Sequence, residues 1–244
     1  MTLPADAAQL LDAATIGYRR ASRFARSFAR GKLSSDPAFA GILKRGLLDG
    51  RARLLDLGCG QGLLAVWLLA ARTCHASARP QAWPASWPAP PAFTSYTGIE
   101  LNPNEVRRAH AAFEGHAGVP LCVVQGDICE VPFPAVDAVV ILDVLHYLNY
   151  PAQEAVLRRV RAALSPGGLL LLRIGDAAGG FGFRLGKLTD RIVALFRHGR
   201  WLPLHCRTLT DWRSLLERLG FRTTAIPMSE GTPFTNTLLV AEAR

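Results

Sequence analysis

Lysine is nearly missing from this chain: of 28 basic residues only Lys32, Lys44 and Lys187 are lysine, and the other 25 are arginine. Against 19 acidic residues this gives a formal charge of +9, which invites a nucleic-acid reading. So one-sided a choice of cation, in an alanine-rich sequence, points instead to GC-rich coding that fills ordinary solvent positions with arginine. Nucleic acid is therefore disfavoured as a partner. No run of about 18 apolar residues exists, so a membrane span is excluded on length, while peripheral membrane contact stays open. Met1-Thr2-Leu3-Pro4-Ala5-Asp6 shows neither a charged leader nor an apolar core before a cleavage site, so the expected location is cytoplasmic. The five cysteines (Cys59, Cys74, Cys122, Cys129, Cys206) form no Cys-x-x-Cys pair and read as reduced thiols, with no zinc site. Serine–histidine and cysteine–histidine constellations are missing too, as is a carboxylate cluster for magnesium. Nothing in the sequence fixes an oligomeric state.

What is present is one stretch of high information, Leu54-Leu55-Asp56-Leu57-Gly58-Cys59-Gly60-Gln61-Gly62. An apolar strand ends in an acid, glycines follow at alternate positions, and the apolar helix Leu63–Leu69 begins at once. Strand, glycine turn and helix in that order build a nucleotide pocket, because glycine lets the backbone turn sharply and approach a ligand closely. The spacing is Gly-x-Gly-x-Gly, whereas a dinucleotide site usually reads Gly-x-Gly-x-x-Gly.

At 244 residues the chain holds one well-filled α/β domain. Residues 1–50 read as an N-terminal helical cap, with helical periodicity over 5–48. Arg19, Arg23, Arg26 and Arg30 form a basic stripe, Phe24 and Phe28 pair at i,i+4, and Gly31 with Ser34-Ser35-Asp36-Pro37 breaks the helix. Residues 51–244 alternate strand and helix, the pattern of a mostly parallel, doubly wound sheet. Strands are expected at 52–57, 95–100, 120–125, 136–142, 168–174, 221–227 and 235–242. Helices are expected at 61–72, 103–114, 152–164, 184–197 and 210–219, with Gly220 closing the last. The final two strands leave no room for a crossover and must form an antiparallel hairpin. Between 73 and 94 lie five prolines with Trp83 and Trp87, read as an extended or disordered surface insertion, solvent-exposed in preference to docking its tryptophans on the domain or a partner.

The insertion hides a spacing. Asp56 and Glu100 are 44 positions apart; removing the 22 residues 73–94 leaves 22. An acid about 20 residues after the glycine turn, ending the next strand, is where a ribose diol is bound. Asp127, after the strand Cys122–Gln125, is placed to accept from an adenine amino group, with Ile128 packing on the base. Asp143 ends Val139–Leu142. Four acids at the ends of successive strands point to the crevice where open α/β sheets bind ligands.

Taken together these elements resemble the class I S-adenosylmethionine-dependent methyltransferases, from about Arg51 to the C-terminus. Asp56–Gly62 is similar to their glycine motif, Glu100 to their ribose acid, and Gly126-Asp127-Ile128 to their adenine element. Asp143-Val144-Leu145-His146-Tyr147-Leu148 is similar to the motif after their fourth strand, and Leu164–Gly168 to the turn before their fifth. The resemblance implies a Rossmann-like seven-stranded sheet with an antiparallel terminal hairpin. It further implies S-adenosylmethionine as cofactor, held by Tyr18, Asp56, Gly58, Cys59, Gly60, Glu100, Leu101, Asp127, Ile128 and Asp143, with no metal. Tyr18 has a competing reading as plain helix packing. Methyl donation from a sulfonium depends largely on proximity and orientation, consistent with the missing nucleophile.

On the acceptor side, His146 is either a general base or a residue shaping the loop. Residues 180–204, apolar and basic, occupy the position of a substrate cover suited to an aromatic or acyl acceptor, or of a core-packing helix with exposed arginines. Lys32 and the arginine stripe read as a solvated helix face or as a grip on an anionic acceptor. Asp143 lacks the Pro-Pro-aromatic run of nucleobase amino methylation, no Pro-Cys dipeptide offers a cytosine nucleophile, and no double-glutamate loop follows. A small-molecule or carrier-bound acceptor remains. Phe28–Leu33 with Asp36-Pro37, and Ser229–Phe234, resemble bacterial methyltransferases associated with aryl-polyene biosynthesis, which implies a hydroxyaryl or polyene acceptor. The alternatives are an RNA methyltransferase, a nicotinamide-dependent oxidoreductase (which predicts glycine where Leu63 stands), and a non-catalytic module that binds the same cofactor.

Overall fold

A computed structural model describes residues 8–77, 83–116, 118–177, 203–228 and 236–244. The segment expected as a substrate cover lies outside these residues except for Pro203 and Leu204; the helix expected at 184–197 and the link at 229–235 lie wholly outside them. The elements run α1 (Ala8–Thr15), a 3-10 turn (Gly17–Arg19), α2 (Arg23–Ser35), α3 (Pro37–Lys44), β1 (Arg53–Leu57), α4 (Leu63–Ala76), β2 (Ser95–Glu100), α5 (Pro103–Phe113) and β3 (Leu121–Gln125). There follow β4 (Val136–Leu142), a 3-10 turn (Leu145–Tyr147), α6 (Tyr150–Ala163), β5 (Leu164–Gly175), α7 (Leu209–Arg218), β6 (Phe221–Pro227) and β7 (Asn236–Ala243). The seven strands form one sheet in the order β3-β2-β1-β4-β5-β7-β6, with β7 antiparallel to both β5 and β6. The Rossmann-like fold and its terminal hairpin are those the sequence predicts. The chain divides into two compact units, one ending at Asp127 and the other starting at Ile128.

In the first unit β1 is buried on both faces, with only Arg53 exposed, as a central parallel strand requires. Helix α4 is buried along Leu63–Ala71, which explains a sequence apolar all round instead of striped. The cap region departs from expectation. Helix α2 runs straight through Gly31, where an added Cβ would meet nothing; glycine at an exposed helical position costs only about 1 kcal/mol. The break falls earlier. A Cβ on Gly17 would sit 2.5 Å from the Ala112 carbonyl oxygen, so the chain turns against α5 there, and Ser22 caps α2 by accepting from the Ala25 N–H. Asp36 and Pro37 end α2 and start α3 as expected.

The proline-rich insertion is corrected in its described part. Helix α4 continues to Ala76, and Trp87 and Phe93 are buried. Trp83 meets both Trp87 and His75 edge to face at 5.4 and 5.8 Å. Arg72 donates to the Phe93 carbonyl at 3.0 Å. Prolines fix an extended path at little entropic cost, and aromatic area of this size packs when a surface is within reach.

In the second unit β4 and β5 are fully apolar at their centres. Their register steps from Val136↔Leu164 to Ala138↔Leu169, so the four residues of the Ser165–Gly168 turn on β5 face Asp137 alone on β4, a bulge. Asn149 caps α6, and Thr208 with Asp211 forms a capping box on α7. Gly220 follows α7 at φ +83°, the left-handed position that favours glycine.

Candidate functional site

In the first unit, the turn after β1 takes positive φ at Gly58 (+73°), Gly60 (+56°) and Gly62 (+77°), which accounts for the alternating glycines. The Gly58 and Cys59 N–H groups both donate to the Ile99 carbonyl, at 2.8 and 3.2 Å, locking the turn onto β2. Glu100 then reaches across. Its Oε2 accepts from the Gly60 N–H at 2.9 Å and its Oε1 from the Asn102 N–H at 2.8 Å. The carboxylate is thus held by two backbone donors while each oxygen keeps acceptor capacity. A Cβ at Gly60 would meet nothing within 4 Å, so the backbone faces open space there.

Asp56 is buried and accepts the Tyr96 hydroxyl at 2.8 Å. Burial pushes its pKa from the ordinary 3.8 up to about 7; the Glu100 carboxylate adds to the rise and the Tyr96 hydrogen bond opposes it. The Cys59 thiol is pushed well up, chiefly by burial and then by Asp56 and Glu100, which removes it as a nucleophile. It sits where a Cβ on Gly98 would approach Sγ to 2.6 Å, so the glycine in β2 makes room for the cysteine in the turn. Tyr18, fully buried, donates to the Gln61 carbonyl at 2.7 Å, and Gln61 Nε2 donates to the Ala25 carbonyl at 3.0 Å. Gln61 Oε1 is buried with no hydrogen-bond partner among the described residues. Leu101 is half exposed beyond Glu100. The Gly126 N–H donates to the Glu100 carbonyl at 3.0 Å, fixing the start of the loop that carries half-buried Asp127.

In the second unit, Asp143 stands at φ +59°, a conformation aspartate tolerates better than most residues. Arg173, 3% exposed in the apolar run of β5, holds it with two parallel contacts, Nε to Oδ1 at 2.8 Å and Nη2 to Oδ2. His146 is half-buried beside them, its Nε2 withdrawn from water. Desolvation lowers its pKa from 6.5 to about 4, with Asp143 opposing and Arg173 reinforcing; the imidazole is neutral at physiological pH. Fully buried Gln153 pins this loop, its Nε2 contacting the carbonyls of Leu145, Leu148 and His205 at 3.1, 3.0 and 2.7 Å. Its Oε1 accepts from Arg207 Nε at 2.8 Å. Ile128 is buried, its carbonyl accepting from Arg159 at 2.7 Å.

Of the expected residues, the first unit therefore links Tyr18, Cys59, Gly58, Gly60 and Glu100 through the glycine turn, with Asp56 beneath it. Ile128, Asp143 and His146 belong to the second. Sequence reasoning missed Gln61, Tyr96, Gln153 and Arg173. Only Arg173 left a signal, a single charge inside Leu169–Ile174.

Residues 55–170 match the family model described as a methyltransferase domain. The matched stretch, just under half of the chain, is a methyltransferase domain. Among proteins similar to this methyltransferase is the carboxy-S-adenosyl-L-methionine synthase of Chromohalobacter salexigens, 32% identical over 54% of this chain and 42% of that protein. Another is the acetylserotonin O-methyltransferase of Mus musculus, 34% identical over 52% of this chain and 34% of that protein. The aligned stretch thus spans less than half the length of either relative. The fold is shared with human N-acetylserotonin methyltransferase in complex with SAM, at 18% identity and TM-score 0.62, covering 99% of this chain and 60% of that one. It is shared also with magnesium protoporphyrin IX methyltransferase from Synechocystis with bound SAH, at 20% identity and TM-score 0.56, covering 94% of both chains. S-adenosylmethionine is the cofactor of the family.

Proposed function

We propose that this methyltransferase passes a methyl group from S-adenosylmethionine to an oxygen of a small-molecule acceptor. The observation that carries the reading is the Glu100 carboxylate, oriented by the Gly60 and Asn102 N–H groups beside the open Gly60 backbone. The residues present fit the cofactor. A carboxylate with spare acceptor capacity suits a vicinal ribose diol, and buried Gln61 Oε1 is an acceptor suited to a donor of the amino-acid end. Asp56 favours a nearby cation, because ionising against one offsets its desolvation. Leu101, Asp127 and Ile128 are assigned to the adenosine, Asp143 to the same cofactor by its place after β4, and Tyr18 to supporting the turn from below. When bound, the cofactor supplies an electrophilic methyl group on a sulfonium.

Two further observations support an oxygen acceptor. Relatives and structural neighbours carry O-methyltransferase names, and the short motifs at 28–37 and 229–234 resemble enzymes of hydroxyaryl chemistry. His146, held neutral by burial, fits a residue that shapes the loop better than a base, since an efficient base has a pKa near the working pH. We assign residues 1–50 as a cap on the domain. The second reading is formation of a carboxylated cofactor from a separate carboxyl donor, favoured by the named synthase relatives. Incubation with isotope-labelled S-adenosylmethionine, a panel of phenols and a panel of small carboxylic acids as carboxyl donors, analysed by mass spectrometry, separates the two. Methyl ethers together with S-adenosylhomocysteine are expected; a carboxylated cofactor with no methylated product overturns the proposal.

A further inference from the structure

Four arginines of the first unit converge on one concavity. Arg23, Arg26, Ser27 and Arg30 occupy positions i, i+3, i+4 and i+7 of α2 and so share a face, and Arg19 joins them from the preceding 3-10 turn. Together they line a cleft of about 520 Å³. Arg30 is paired with Asp12. Among the described residues no carboxylate pairs with Arg19, Arg23 or Arg26, and the Arg26 Nε is buried without a hydrogen-bond partner. Arg19, Arg23 and Arg30 are exposed, but the Arg26 Nε is withdrawn from water without a partner and like charges share one concavity, both of which cost stability unless an anion completes the site. The planar, five-donor guanidinium matches phosphate oxygens two at a time, and the Ser27 hydroxyl adds a neutral donor.

We propose that this cleft binds the phosphate or diphosphate group of a soluble ligand. The inference goes beyond the methyl-transfer reading and does not depend on it. Phosphate groups also occur on lipid headgroups and on nucleic acid, and the stacked rings of Phe24 and Phe28, 6.4 Å apart and exposed on the flank of α2, would suit a bilayer. A concavity with a buried Arg26 Nε favours a group small enough to enter. Lys32, the neighbouring lysine, is engaged by Asp36 and takes no part.

The test is calorimetric titration of the full chain with sodium pyrophosphate, comparing wild type with Arg23→Gln/Arg26→Gln and Arg23→Lys/Arg26→Lys. Saturable binding to the wild type is expected. The glutamine pair should weaken it about 100-fold, roughly tenfold for each charge-assisted pairing lost. The lysine pair should fall between, since charge is kept and the fork is not. Affinity for S-adenosylhomocysteine should be unchanged in both variants, which reports that the Gln61-bonded turn is intact. Vesicles of phosphatidylglycerol and a short RNA are run against the same proteins. No saturable pyrophosphate binding, equal binding by the glutamine variant, or arginine-dependent binding of vesicles or RNA that pyrophosphate does not displace each overturns the proposal.

Discussion

Replacing Asp56 with asparagine should make the protein more stable at alkaline pH, by an amount that grows with pH. In the folded chain Asp56 titrates at about 7 instead of 3.8. Between those values the native state holds a proton that the unfolded state has released. Stability therefore falls with rising pH, by 1.36 kcal/mol per unit, or about 4 kcal/mol in all by pH 8. His146 works in the opposite sense. Its folded pKa of about 4 lies below 6.5, so the unfolded state binds the extra proton and stability rises by about 3 kcal/mol from pH 4 to 6.5. The two slopes nearly cancel in the wild type below pH 6.5, so only the difference between proteins isolates either. Asparagine keeps an acceptor for the Tyr96 hydroxyl and removes the titration. Urea denaturation from pH 4 to 8 should show Asp56→Asn gaining on wild type from near zero to about 4 kcal/mol, while its S-adenosylhomocysteine affinity drops. Parallel stability curves would show that Asp56 does not take up a proton on folding.

The complementary variant, His146→Gln, should lose the rise between pH 4 and 6.5, visible in the same denaturation series. At Gly62 an added Cβ would lie 2.6 Å from the Phe113 ring at φ +77°, so Gly62→Ala combines left-handed strain with overpacking and should cost roughly 2–5 kcal/mol in thermal unfolding. Gln153→Leu strands the Leu148 and His205 carbonyls and Arg207 Nε; a loss of about 3 kcal/mol is expected, with faster amide exchange over residues 144–148 and 203–208.

Local chemistry wrote most of the fold. Alternating glycines demanded a strand–turn–helix, Gly220 marked the end of α7, and the short link before β7 forced a hairpin. The site was legible where it depended on spacing, as with Glu100 once the insertion was subtracted. It was not legible where function of a residue comes from a distant partner. Gln61 is defined by Ala25 and Tyr18, 36 and 43 positions away, and Arg173 by Asp143, 30 away. The tryptophans near 83–87 were misjudged for the same reason: proline content describes the backbone's path, not whether a surface lies beneath it. Gly31 failed as a breaker because exposure makes helical glycine cheap.

The most direct measurement is calorimetric titration of the wild type and Glu100→Ala with S-adenosylhomocysteine, with NAD as the control ligand. S-adenosylhomocysteine should bind the wild type, NAD should not, and Glu100→Ala should weaken binding by about 10–100-fold through loss of charge-assisted hydrogen bonds. Binding of NAD without S-adenosylhomocysteine, or equal affinity in the Glu100 variant, would contradict it.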